Sequence, residues 1–127
     1  MTSPNPDRLL TEAELEHMRV LWTLGEGSVR AVLDALPAET PRAYTTVATL
    51  LRILEEKGFA GSEKVGRSLL YRPVVSRPAY QARTVKRVLS DVFEGDAGAL
   101  MRQLVQAEAT DDLALAEMRS LLDELED

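Results

Sequence analysis

The stretch Ala43-Tyr-Thr-Thr-Val-Ala-Thr-Leu-Leu-Arg-Ile-Leu-Glu-Glu-Lys-Gly58 decides how the rest of the chain is read. Val47, Leu50, Leu51 and Leu54 recur at the three- and four-residue intervals that put them on one face of an α-helix. Gly58 is placed to end that helix, because the left-handed backbone of a helix C-terminus costs glycine little. Off the apolar stripe lie Tyr44, Thr45, Thr46, Ala48, Thr49, Arg52 and Ile53. Threonine is a mediocre helix former that prefers caps, so three of them in the first two turns of an exposed face are unfavourable without a use. Their hydroxyls and the Arg52 guanidinium can hydrogen-bond phosphate oxygens or base edges. The small apolar groups can meet thymine methyls in a major groove wide enough for a helix. The alternative for Thr45 or Thr46 is a capping role at the helix start.

Towards the N-terminus, Leu10-Thr-Glu-Ala-Glu-Leu15 has the form of a helix start: Thr11 caps, Glu14 completes a capping box and Leu10 can staple onto Leu15. Leu15, Met18, Leu21, Trp22 and Leu24 continue at helical spacing, which makes Trp22 a core residue and places His17 on the polar side. Gly25-Glu-Gly27 ends the helix. Ser28 caps a second helix through about Leu36, and Pro37 to Pro41 form a loop before the third. Three short helices in succession make a helix-turn-helix pattern. Beyond Gly58, Phe59 to Val65, a turn at Gly66-Arg67 and Ser68 to Tyr71 suggest a hairpin closed by Pro73. The expected fold is mainly α: a winged helix-turn-helix domain over residues 1–76, then a helical region over 77–127.

Charge is distributed unevenly. The 127-residue chain has a net charge of −6, yet residues 1–80 hold ten basic and ten acidic side chains, so the whole excess lies in the C-terminal part. Arg42 to Arg77 carries seven basic residues against Glu55, Glu56 and Glu63, a local +4 that a polyanion would find. Arg42, Lys64, Arg67, Ser68 and Arg72 are the candidates there to flank a phosphate backbone, the alternative being an ordinary solvated surface. A chain without cysteine and with the single His17 excludes disulfide scaffolds, thiolate metal sites, cysteine nucleophiles and most acid–base chemistry. It has no glycine-rich phosphate loop and no Ser, His and Asp set, so neither an enzyme nor a bound cofactor or metal is expected. No basic region followed by an apolar run opens the chain, and no stretch approaches the roughly 20 apolar residues of a membrane span. A cytoplasmic protein is expected.

The last fifty or so residues read as three amphipathic helices with too little mass for a well-buried core of their own. Ser76 and Pro78 open the first, which runs to about Phe93; Asp96 caps the second; the third covers about Asp111 to Leu125. Their apolar faces need a partner surface, and the simplest is a second copy of the chain, with Val88, Leu89, Val92, Leu100, Leu104, Met118, Leu121 and Leu122 as the pairing residues. Packing back onto the N-terminal domain is the alternative.

The stretch Ala43 to Gly58 resembles the recognition helix of the penicillinase-repressor (BlaI/MecI-type) winged-helix transcriptional regulators. Glu14-Leu-Glu-His-Met-Arg-Val-Leu-Trp22 looks like that family's first helix, and Gly66-Arg-Ser-Leu-Leu-Tyr-Arg-Pro73 like its wing, so the resemblance covers about residues 8–126. It implies a homodimeric repressor seated on a palindromic double-stranded DNA operator, with Thr45, Thr46, Thr49 and Arg52 at recognition-helix contact positions and Arg67 at the wing. It further implies release when a membrane sensor-protease system cuts the C-terminal region; the family's cleaved Asn-Phe bond aligns with Gln103-Leu104 here. Ile53 stands where the family often has a basic residue, and the cysteine motif of the copper-responsive relatives is absent. Two other functions fit the same outline: a protein-interaction module without nucleic-acid affinity, and a regulator with a small-molecule pocket between the wing domain and the C-terminal helices.

Overall fold

A computed structural model describes residues 8–39, 41–107 and 111–126. Helix α1 spans Glu12–Leu24, and its capping box is complete: the Glu14 amide donates to Thr11 Oγ1 at 3.2 Å while the Thr11 amide donates to Glu14 Oε1 at 2.8 Å. Helix α2, Val29–Ala35, starts at Ser28, whose hydroxyl accepts from the Ala31 amide at 3.1 Å. Helix α3, Tyr44–Glu56, has Ala43 at its N-cap and no side-chain capping bond, so neither Thr45 nor Thr46 is used as a cap. Its end is a Schellman motif. Gly58, at φ 89°, donates to the Glu55 carbonyl and Phe59 to the Leu54 carbonyl, and both Leu54 and Phe59 are buried in the core.

That sharp stop turns the chain directly into the wing. Strands β1 (Ala60–Val65) and β2 (Ser68–Pro73) pair antiparallel with Val65 opposite Ser68, joined by Gly66-Arg67 with Gly66 at φ 63°. The wing is pinned to the start of α2, because Gly27 and Tyr71 exchange backbone hydrogen bonds of 2.9 and 2.8 Å. Met18, Leu21, Val32, Val47, Leu51, Leu54, Phe59 and Tyr71 form the centre of one core beneath α1, α2, α3 and the hairpin. Leu50 is half-buried at its margin. Trp22 packs against this core, its indole N–H donating to the Val75 carbonyl at 2.9 Å. Helix α4, Arg77–Asp91, begins at the Ser76 hydroxyl, and its Tyr80 is buried against Phe59 with its hydroxyl accepting from the Leu10 amide at 2.9 Å.

His17 is not on the polar side of α1; it is fully buried. Helical spacing alone counts histidine as polar, but Nδ1 lies 2.8 Å from the Ala13 carbonyl, which satisfies one ring nitrogen within the helix, and Nε2 is buried without a hydrogen-bond partner among the described residues. Burial holds its pKa below the usual histidine value, and the neighbouring Arg42 acts in the same direction. The Ala13 carbonyl and the Glu16 carboxylate act against it.

The fold divides into two compact units, residues 1–84 and 85–127, with α4 beginning in the first and ending in the second. The second unit holds α5 (Ala97–Gln106), capped by Asp96, and α6 (Asp112–Glu126), whose Ala114 amide donates to Asp111 Oδ1 at 2.9 Å. None of its described residues is buried, in contrast to the first unit. The architecture is a winged helix-turn-helix followed by a helical region.

Candidate nucleic-acid interface

The outer face of α3 carries Tyr44, Thr45, Thr46, Thr49 and Arg52, all exposed, with Ala48 and Ile53 half-buried beside them. These side chains are available because Val47, Leu51 and Leu54 take the opposite face into the core. At the wing, Lys64, Arg67 and Ser68 are exposed as well. A cleft of about 450 Å³ between α2, α3 and the wing turn brings Tyr44, Thr49, Arg52, Arg67 and Ser68 together, and Thr45, Thr46 and Lys64 lie outside its lining. Burial, and next to it the Glu55 carboxylate, push the phenol of Tyr71, one of the lining residues, up.

Arg42 is placed elsewhere. Its guanidinium meets Glu16 of α1 at 3.4 Å, and its Nε is buried without a hydrogen-bond partner among the described residues. A second carboxylate of α1, Glu14, accepts from Lys57 Nζ at 2.5 Å. Arg42 precedes α3 and Lys57 is its C-cap, so two ion pairs from α1 hold both ends of the same helix. Burial pushes the Glu14 carboxyl up. The Lys57 ammonium and the hydrogen bonds from Thr11 outweigh it, and the pKa settles below the usual carboxylate value. Arg42, expected from the sequence beside a phosphate backbone, is thus engaged with α1 at the start of the exposed helix.

Ion pairs also decide which cations stay uncompensated. Arg52 pairs with Glu56 at 2.9 Å and Arg72 with Glu63 at 3.5 Å, all four side chains at least half exposed, where such pairs contribute about 0–1 kcal/mol. Lys64 and Arg67 have no ion-pair partner among the described residues. Arg30 is not legible as a site residue in the sequence, because its place depends on a contact between helices: its guanidinium lies 5.3 Å from the centre of the Tyr44 ring, on the wall of the cleft. A basic residue two positions after a helix cap is the only local signal for it.

In the second unit, Val92, Leu104, Leu121 and Leu122 are exposed and Val88, Leu89, Leu100 and Met118 half-buried. Gln103 and Leu104 lie inside α5. Among the described residues no helix is long and apolar enough to cross a membrane.

The family profile described as penicillinase repressor matches residues 10–124, from just before α1 to almost the end of α6. The chain belongs to the penicillinase-repressor family. This is a family of DNA-binding transcriptional repressors, and its profile takes in both units of the fold. The methicillin resistance regulatory protein MecI of Staphylococcus aureus is 23% identical over 113 residues, which is 89% of this chain and 92% of that protein. The penicillinase repressor of Bacillus licheniformis is 23% identical over 115 residues, 91% of this chain and 90% of the relative. Among solved structures, that of the CopR repressor is 40% identical over 53% of this chain and 97% of its own, with a TM-score of 0.46. In this penicillinase-repressor chain the helix with the exposed threonine face is thus the third of a helix-turn-helix unit, flanked by a wing whose turn is cationic.

Proposed function

We propose that this DNA-binding repressor acts as a homodimer on a palindromic operator in the cytoplasm, blocking transcription by occupying the site. In this reading residues 1–76 bind DNA and residues 77–127 pair two copies of the chain. Helix α3 enters the major groove, with Thr45, Thr46 and Thr49 towards base edges and phosphates and Arg52 beside them, while Lys64, Arg67 and Ser68 meet the backbone. The observation that carries the reading is the exposed threonine face of α3, held at both ends by α1 and set beside uncompensated wing cations. The pairing half is supported by a helical unit without a buried described residue, whose Val88, Leu89, Val92, Leu100, Leu104, Met118, Leu121 and Leu122 offer an apolar face. A twofold dimer places its two reading helices about one helical turn of DNA apart.

Release by a membrane sensor-protease system would have to act at Gln103-Leu104, within α5. A helical backbone has to open locally before a protease can take it as an extended strand, so loosening of the pairing helices precedes the cut.

Selection of randomised duplexes with the full chain tests the whole reading. The expected product is an inverted repeat whose half-site centres lie about 10 base pairs, or a multiple, apart. Enrichment of a single unpaired half-site would overturn the dimer, and no enrichment at all would overturn specific DNA binding.

A further inference from the structure

We propose that the cleft between α2, α3 and the wing turn is a seat for one backbone phosphodiester of the bound duplex, with Arg30 of α2 as its anchoring cation. The proposal rests on the DNA-binding reading above and adds an anchoring cation, Arg30, that belongs to neither the reading helix nor the wing. Arg30, Arg52 and Arg67 come from three separate elements and line one cleft of about 450 Å³, to which no carboxylate residue contributes. Three guanidinium groups around one concavity repel one another unless an anion lies between them. Arg52 is already compensated by Glu56 at 2.9 Å, which leaves Arg30 and Arg67 as the net charge facing the space.

Arg30 is also preordered. Its guanidinium sits 5.3 Å from the Tyr44 ring centre, and stacking on an aromatic face leaves the N–H edge of the guanidinium free for the two parallel hydrogen bonds that phosphate oxygens accept. Tyr44 is the first residue of α3, so the stack ties the cation to the helix that would occupy the groove. The opposite wall cannot drift away, because Gly27 and Tyr71 bond β2 to the residue just before the α2 cap. Tyr71 is buried, and it backs the cleft with apolar surface that strengthens a charge contact there. A singly charged diester matches the sign of this space.

The test is fluorescence anisotropy of the full chain on a labelled random-sequence duplex, with salt raised from about 50 to about 200 mM. Removing one phosphate interaction lowers the magnitude of the slope of log affinity against log salt by about 0.9, so Arg30→Gln should lower it by about 1.8 for a dimer, as should Arg67→Gln. Tyr44→Leu should show part of that decrease and Tyr44→Phe a smaller part, a difference that isolates the stack from the tyrosine hydroxyl. A scan of single neutral methylphosphonates along a duplex selected for tight binding, where the register is fixed, then locates the seat: one position weakens the wild type and leaves Arg30→Gln unaffected. If Arg30→Gln fails to fold, as read by Trp22 fluorescence, the same scan on Tyr44→Leu against the wild type gives the answer. A wild-type slope for Arg30→Gln beside a reduced one for Arg67→Gln would overturn the seat and leave DNA binding intact. A wild type that binds no duplex would overturn both.

Discussion

If the helical unit pairs two chains, shaving its apolar face must weaken the pair by an amount that exposure sets. In the single chain Leu121 is 54% exposed and Leu122 49% exposed, so each has about half of its burial still to gain from a partner. Burying a whole leucine side chain stabilises by about 1.5–3 kcal/mol, which makes the remaining half worth about 1 kcal/mol. A twofold dimer contains four such side chains, so replacing both leucines by alanine should cost about 4 kcal/mol of association. At about 1.4 kcal/mol per decade, the dimer dissociation constant should rise about a thousandfold. Alanine is the best helix former, so α6 itself should survive the change. Sedimentation equilibrium of the wild type and of the double variant Leu121→Ala, Leu122→Ala measures the shift directly. The single Trp22, in the first unit, reports independently that the winged domain is still folded. An unchanged dissociation constant in a folded variant would refute pairing through this face.

The first unit yields three further expectations. Lys57→Met strands the buried Glu14 carboxylate and should lower the stability measured by denaturant titration by about 3 kcal/mol, whereas an unchanged midpoint would show that the pair does not hold α3. The pKa of His17 is lowered from 6.5 by folding, so the unfolded chain binds its proton first; stability is full above about pH 6.5 and is lost as pH falls from there towards the folded value. His17→Leu should flatten that part of the thermal-stability profile, and a profile with the wild-type slope would contradict the burial described above. Gly58→Ala places an L-residue at φ 89° and should cost about 1–2 kcal/mol by calorimetry, with a smaller cost arguing that the helix end relaxes.

The order of elements is readable in the sequence because each is punctuated locally: Thr11 with Glu14, Ser28, Gly58 and Gly66 all do in space what their types and spacing suggest. The exposed face of α3 follows in the same way from Val47, Leu51 and Leu54 taking the other side. What spacing cannot convey is a partner from another element. Arg42 counts as a free cation in the sequence, yet it is drawn to Glu16, twenty-six positions away. His17 counts as polar, yet its own helix supplies the carbonyl that lets it be buried. Arg30 gains its meaning from Tyr44, across the loop between α2 and α3. The apolar faces of α4, α5 and α6 are evident as patterns, and in the single chain Val92, Leu104, Leu121 and Leu122 on them are exposed.

In the proposed function the threonine face of α3 distinguishes sequences while the wing cations grip any duplex. Affinities of Thr46→Ala, Thr49→Ala and Arg67→Gln for a selected duplex and for a scrambled one of equal length, at one salt concentration, address it most directly. The threonine variants should lose about 1–3 kcal/mol on the selected duplex and almost nothing on the scrambled one, while Arg67→Gln loses equally on both. Threonine variants that bind the selected duplex as tightly as the wild type, or that lose the same amount on both duplexes, would show that α3 does not read sequence through this face.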